Sequence, residues 1–293
     1  MTEGRYLVDA PLAPPTATQG LLEVFRRRYL LKLLVRREIN ARYSGSFLGL
    51  IWSYINPLSQ LFIYIVVFGE LLDRGRTEQF PIHIFCGLIV VHFFVETFNA
   101  GTRSIVRNKA LIRKMALPKE MFPVASMMVS LFHVAPQVVI LLVAVLIIGW
   151  APSGLGIAAF FLALGIIMAL GTGLALMFSV ANVYFRDFAS VVNIMTNFVR
   201  FGVPMIYPYS IVDERFGDAA AYYLWNPLSN AVLLVQRAFW VGTTEDPEKT
   251  MLTEMPDAMF SRGLVMLGVA VVVLLLGQWV FRRFENKIPE RLT

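Results

Sequence analysis

Within the long apolar stretches of this chain only a few side chains could carry charge or move a proton: His92 and Glu96 in one stretch, His133 in another and Arg200 in a third. His92 and Glu96 stand four residues apart and so share a helical face, which makes them the best candidates for a proton relay. The plainer reading, a satisfied interhelical polar pair, needs no ligand and is preferred. Catalysis has little else to use. The chain holds three histidines and one cysteine, with no His-Glu-x-x-His run and no close acidic pair in an expected cytoplasmic loop to bind a metal or activate a sugar donor. Cys86 falls inside an apolar stretch, which leaves no intrachain disulfide and no cysteine-based metal site. A phosphate-cradling Gly-x-x-x-x-Gly-Lys-Ser/Thr run and a Gly-rich dinucleotide fingerprint are both missing, so any ATP must be hydrolysed by a partner.

The elements that hold these groups belong in a membrane. The sequence is 57% hydrophobic and 16% charged, against roughly 25% charged for a soluble domain, with a mean hydropathy of +0.64. A net charge of +6 could suggest nucleic acid, but the basic residues sit in short loops beside apolar stretches, where control of topology is the simpler explanation. Arg36–Pro57 is such a junction: RREINARYSG runs directly into an apolar segment from Phe47 to about Leu72. At about 1.5 Å per helical residue that segment covers a hydrocarbon core of roughly 30 Å.

Further apolar stretches run over Phe80–Asn99, Val124–Ile148, Leu155–Ala181, Val191–Tyr207 and Arg262–Val280, with an interrupted one over Ala219–Val241. Trp225-Asn226-Pro227 cuts the interrupted one into pieces too short to cross, and the proline denies a helix one backbone bond. The expected fold is therefore an all-α integral membrane protein with six transmembrane helices and both termini in the cytoplasm. Charge counting agrees: 19 Lys and Arg fall in the inside segments and 6 in the outside ones, among them Arg74 and Arg76. The broken stretch then forms a re-entrant half-helix hairpin, about residues 208–241, on the outer face before the last span, with a plain extracellular loop as the alternative.

Residues 1–20 lack an apolar signal core and read as a disordered, proline-containing tail; 21–46 form an N-terminal interfacial amphipathic helix, 47–281 the membrane domain and 282–293 a cytoplasmic tail. Leu22, Phe25, Tyr29 and Leu33 recur at helical spacing with Arg27 and Arg28 opposite, although Arg26 interrupts the pattern. The inner loop RSIVRNKALIRKMALPKEMFP carries a short basic helix with Leu111, Ile112 and Met115, stopped by Pro118. An apolar tip on a basic loop suits docking into a groove on another protein. A phosphate-contacting anchor that pins two spans is the alternative.

At these residues the chain resembles the membrane subunits of type-2 ABC exporters, in the branch that exports polysaccharides linked to a polyprenyl diphosphate lipid, such as O-antigen, teichoic acid or galactan. The similar segments are RREINARYSGSFLGLIWSYINPL, NKALIRKMALPKEMFPVA, NVYFRDFASVVNI, VPMIYPYSIV and LWNPLSNAVLLVQRAFW, in that order from about residue 30 onward. The resemblance implies a homodimer in a bacterial cytoplasmic membrane, joined by two ATPase subunits that hold the ATP and Mg; this chain itself would carry no cofactor. Asn108, Leu111, Ile112, Arg113, Met115 and Pro118 become the coupling element, with the helix around Leu30–Arg42 as a second contact. A polymer longer than the bilayer is thick implies a continuous channel at the dimer axis. Its lining would be Trp52, Tyr64, Phe198, Arg200, Tyr207 and Tyr209, since aromatic rings pack on sugar C–H faces and permit sliding; an interfacial aromatic belt explains the same rings. Arg36, Arg37 and Arg42 would meet the lipid diphosphate, because guanidinium forks match phosphate oxygens, while positive-inside anchoring explains them without a substrate. Trp225, Asn226 and Pro227 would form an outer gate.

Two other functions stay open. A type-2 ABC exporter of a small amphiphile shares the fold and energy source, and a membrane scaffold or embedded transferase needs no ATPase. Topology offers the first test: a cysteine placed at Lys287 should react with a membrane-impermeant maleimide only after the cells are permeabilised, and labelling of intact cells would overturn the six-span count.

Overall fold

Glycine, proline and capping side chains punctuate the apolar runs and set where each helix can end. The computed structural model describes residues 20–71, 77–115 and 117–292. The tail expected over 1–20, all but Gly20, and the outer arginines Arg74 and Arg76 lie outside the described residues. Every regular element described is helical. At the N-terminus, α1 (Leu21–Arg26) and α2 (Arg28–Tyr43) are separated at Arg27, whose backbone leaves the helical region. A single-turn 3₁₀ segment leads into α3 (Trp52–Tyr64), which unwinds into a wider π-helical turn over Ile65–Leu71. Then follow α4 (Phe80–Arg107), the short α5 (Lys109–Lys114), α6 (Met121–Ile148), α7 (Gly154–Tyr184) and α8 (Phe188–Phe201). The outer segment holds α9 (Tyr209–Phe216), α10 (Ala220–Tyr223), α11 (Pro227–Phe239) and α12 (Pro247–Glu254), and the chain closes with α13 (Met259–Phe284) and α14 (Ile288–Arg291).

Five described helices are long and apolar enough to cross a membrane: Trp52–Leu71, Phe80–Arg107, Met121–Ile148, Gly154–Tyr184 and Met259–Lys287. Among them α4 is apolar nearly all round and correspondingly sits at the centre, packed on α6, α7, α8 and α11. By contrast α3 touches little and buries only Pro57, its other residues being exposed or half-buried. The fifth expected span becomes α8 of 14 residues, about 21 Å long, because the helix stops at Gly202. The chain nevertheless continues along α4 beyond that point. Asn182 donates to the Thr102 carbonyl at 3.3 Å and Asn99 to Thr196 Oγ1 at 3.2 Å, while Met205 packs against Gly87 and Gln236 donates to the Pro204 carbonyl at 2.8 Å.

The break at Trp225-Asn226-Pro227 starts α11. Asn226 Oδ1 accepts from the Leu228 amide at 2.9 Å and Pro227 occupies the first helical turn, where its missing N–H goes unneeded. From Leu228 to Gln236 this helix is buried against α4, α7 and α13. At the N-terminus the structure adds a second, bundle-facing stripe to the one read from the sequence. Leu22, Phe25, Tyr29 and Leu33 are exposed, and Val24, Leu31 and Leu34 join a small core with Ile105, Phe122 and Phe281. The stripe read from the sequence is thus the one left for the surroundings, and the bundle-facing stripe lies beside it.

Close backbone approach fixes the crossing of α7 and α13. A Cβ at Gly277 would collide with the Gly173 carbonyl, and one at Gly173 would come within 2.7 Å of the Leu274 backbone, so neither helix can yield through a flexible side chain. Gly277→Ala should destabilise the protein by roughly 1–3 kcal/mol in thermal unfolding. Gly268→Ala, where a Cβ meets nothing within 4 Å, should leave the midpoint unchanged.

Candidate functional site

Polar residues recur on one face of α6 at helical spacing, Ser126, Ser130, His133 and Gln137, in a helix otherwise apolar. The serines satisfy themselves on carbonyls of the preceding turn, Ser126 on Phe122 at 3.1 Å and Ser130 on Ser126 at 3.0 Å. The longer side chains instead reach α4. Glu96 accepts from His133 Nδ1 at 2.7 Å and from Arg42 of α2, and its side chain is nearly buried. Gln137 donates to His92 Nδ1 at 2.8 Å, which leaves the His92 Nε2 proton facing Glu96 Oε2 at 3.8 Å. The expected His92–Glu96 pair therefore exists as a weaker member of a larger cluster whose stronger bonds to Glu96 come from Arg42 and His133. The Tyr43 ring lies edge-on to His133 at 5.7 Å, and its hydroxyl bonds Ser53, which joins α2 to α3.

Nearer the C-terminal end of α4, α2 is stitched to it a second time. Arg37 donates to Asn108 Oδ1 at 2.9 Å, Asn108 Nδ2 donates to Glu38 at 3.1 Å and to the Ser104 carbonyl at 3.0 Å, and Arg107 pairs with Glu38. Residue numbers on α2 rise as those on α4 fall, so the two helices run antiparallel. Between the stitches lies a cavity of about 370 Å³ lined by Arg37, Glu38, Arg42, Glu96, Arg107 and Ser130, among others. Of the three arginines singled out in the sequence, Arg37 and Arg42 are thus internally engaged, and Arg36 is exposed with no ion pair among the described residues.

The inner loop divides in two. Asn108, Ile112 and Pro118 are buried and Leu111 half-buried; of the apolar tip expected at Leu111, Ile112 and Met115, Ile112 faces inward at 8% exposure, in the core with Ile105 and Phe122. The exposed tip is Arg113, Lys114 and Met115, the last at 48%. On its far side Lys119 is buried and donates to the Glu285 carbonyl at 3.1 Å, with Glu285 Oε1 at 3.9 Å. Burial lowers the Lys119 ammonium from its ordinary range, against the opposing pull of Glu285 and Glu120.

Among the expected lining residues, Trp52 and Phe198 are open, Phe198 at 75% exposure. Tyr64 is half-buried against Phe68, and Arg200 is half-buried within electrostatic reach of His92. The outer tyrosines differ from expectation. Tyr209 is only 8% exposed and packs on Tyr223, while the Tyr207 hydroxyl is tied to the Phe201 carbonyl at 2.9 Å. Trp225 projects outward, but Asn226 and Pro227 are occupied in capping α11.

The model of the ABC-2 type transporter family matches residues 29–240, from α2 through α11. The chain belongs to that family. Its relatives include an O-antigen export system permease protein, RfbA, of Myxococcus xanthus, 27% identical over 92% of this chain and 98% of the relative. A protein of the same name from Klebsiella pneumoniae is 25% identical over 73% of this chain and 81% of its own length. The polysialic acid transport protein KpsM of Escherichia coli is 24% identical over 84% of this chain and 93% of its own.

Both stitches of this ABC-2 chain fall inside the matched region; the first joins the N-terminal helix to α4 and α6, the second to α4. The sequence named His133 and Asn108 without joining either to α2, and it did not single out Gln137, Glu38 or Arg107. The spacing of Ser126, Ser130, His133 and Gln137 was the available signal for the first, whereas nothing local pointed from Asn108 to α2. Asn108→Ala removes the acceptor of Arg37 and a donor to Glu38, a loss of about 1–2 kcal/mol. Amide exchange over Leu31–Ala41 should then accelerate by about tenfold while α7 stays protected.

Proposed function

We propose that this chain is the permease subunit of an ATP-driven exporter that moves a polysaccharide, carried on a lipid diphosphate, across a bacterial cytoplasmic membrane. The observation that carries the proposal is the cavity where Arg37, Arg42 and Arg107 meet between the N-terminal helix and two spans. Three guanidiniums at the polar edge of an apolar bundle suit a diphosphate head group whose prenyl tail remains in the bilayer. The relatives named for O-antigen export and polysialic acid transport support the glycan as cargo.

The rest of the architecture is consistent with this role. Six crossings are supported by the path of residues 182–206 along α4, which carries the chain from Thr102 to Gly87 although α8 itself is short. With six, both termini lie inside and the buried α11 returns the chain to the outer face as the second arm of a re-entrant hairpin. In the working assembly two copies of this chain place the exposed faces of α3 and α8 around a common axis, and Trp52 and Phe198 offer ring surface to a sliding glycan. Met115, Arg113 and Lys114 at the tip of α5 contact the ATPase subunit, which holds ATP and Mg. This chain contributes no hydrolytic group.

The test is ATP turnover by the reconstituted permease–ATPase complex in proteoliposomes. A lipid-diphosphate-linked glycan should stimulate it, and a small amphiphilic drug should not. Arg36→Ala combined with Arg37→Ala should reduce that stimulation by about tenfold, since each lost charge-assisted contact is worth ~1 kcal/mol or more. Unchanged stimulation removes the diphosphate role, and stimulation by the drug alone favours an exporter of small amphiphiles.

A further inference from the structure

The cavity between α2 and α4 already contains anions. Arg42 and Arg107 are each paired with a carboxylate, Glu96 and Glu38 respectively, while Arg37 meets only the neutral Asn108. The two carboxylates differ in kind. Glu38 belongs to α2 and pairs with Arg107 of α4, whereas Glu96 belongs to a span and holds Arg42 of α2 to the bundle. Arg42 remains about half exposed although Glu96 is nearly buried. An incoming anion can therefore reach the guanidinium without first displacing the protein around the carboxylate. Glu96 also keeps other partners if Arg42 departs: His133 Nδ1 at 2.7 Å on one oxygen, and His92 Nε2 at 3.8 Å from the second, which has no hydrogen bond of its own.

From this arrangement we infer that Glu96 is a resident counter-anion that occupies Arg42 until a phosphate of the lipid-linked substrate takes its place. The inference rests on the proposed function for its ligand, a diphosphate ester on a lipid, and adds how the site admits it. Guanidinium binds carboxylate and phosphate by the same planar fork, so Arg42 swaps one charge-assisted pair for another, while Glu96 keeps the His133 hydrogen bond. Its mechanical consequence follows from which elements are joined. With Glu96 on Arg42, α2 is fastened to α4 and α6; with phosphate on Arg42, α2 is fastened to the substrate and loses that bond to α4, keeping the Tyr43 contacts with His133 and Ser53 at that end. Glu96 thereby sets a threshold: an anion must bind Arg42 better than the carboxylate does, which a diphosphate satisfies and an uncharged prenyl lipid does not.

The experiment measures undecaprenyl diphosphate binding to the complete permease–ATPase complex in nanodiscs, with undecaprenyl alcohol as the uncharged probe. Glu96→Gln keeps the side chain's shape and removes its charge, so it should lower the half-saturating concentration of undecaprenyl diphosphate by about fivefold and leave the alcohol non-binding. A residue with a merely structural role would give unchanged or weaker binding, and that result overturns the exchange while the wild-type affinity upholds the proposed function. A wild-type complex that binds neither probe overturns the proposed function, and the exchange with it. A second measurement leaves Glu96 in place and so does not depend on that variant folding. Spin labels at Asn40→Cys and Arg103→Cys, both exposed positions on α2 and α4, should move apart on adding undecaprenyl diphosphate and stay put with the alcohol. An unchanged distance with the diphosphate overturns the loss of that bond between α2 and α4.

Discussion

A carboxylate placed among apolar helices cannot be left alone, and the need to compensate Glu96 organises one side of this molecule. An uncompensated charge at such a depth costs several kcal/mol, so cationic and donor groups must converge on it. One comes from α6, as His133, and the other from outside the bundle, as Arg42 at the end of the N-terminal helix. The compensation is therefore also a tether. It forces α2 to lie across the ends of α4 and α6, and it brings Arg37 and Glu38 over Asn108 and Arg107, where the second stitch forms.

Around this tether the packing is uneven in a way that separates a rigid body from parts free to shift. Where α7 and α13 meet, they touch backbone to backbone at Gly173 and Gly277, and α4 is surrounded on every side. Helices held like that move together or not at all, because close-packed interfaces do not deform gradually. α3 has no such neighbours, and α8 buries only Val192 and Thr196. Their exposed faces carry Trp52, Phe62, Ile194 and Phe198, large apolar side chains that a single copy leaves uncovered. In the proposed homodimer those faces meet across the axis, and a channel opens by shifting the lightly packed helices while the α4–α7–α13 block stays intact.

How much of this was legible in the sequence depended on the range of the interaction. Span positions were legible because length and hydropathy are local, and the start of α11 was legible because Asn226 and Pro227 are a cap and a first-turn residue side by side. The length of α8 was not, because hydropathy continues past Gly202 although the helix does not. Amphipathicity in the N-terminal helix was visible, yet hydropathy cannot say whether an apolar stripe faces protein or lipid; Leu22 and Phe25 face out, and Val24 and Leu31 face in. The site itself was the least legible. Glu96 was paired in the sequence with His92 four residues away, whereas its stronger partners stand 54 and 37 residues distant, and only the fold brings them within reach. Tyr209 was misplaced for the same reason, since its burial depends on Tyr223, which arrives after an intervening helix.

The inner loop shows how a force at its tip would reach that site. α5 is too short to store deformation, and it is held at both ends by buried polar contacts: Asn108 to α2 on one side, and Lys119 to the Glu285 carbonyl at the end of α13 on the other. Burial disfavours a free ammonium at Lys119, so that anchor is retained only while Glu285 and Glu120 stay close. A push on Met115 is then resisted by the α13 end, which belongs to the rigid block, and is passed to Asn108. From Asn108 the only covalently continuous route is α4 itself, but Arg37 and Glu38 offer a second one along α2, which reaches the Arg42–Glu96 pair about one turn further on. In the proposed mechanism, the ATPase stroke and the arrival of substrate thus act on neighbouring turns in the C-terminal half of α2. A stroke delivered while Glu96 still holds Arg42 loads both stitches of α2 against the same block, whereas a stroke delivered after that pair has opened finds α2 held by one stitch and can swing it.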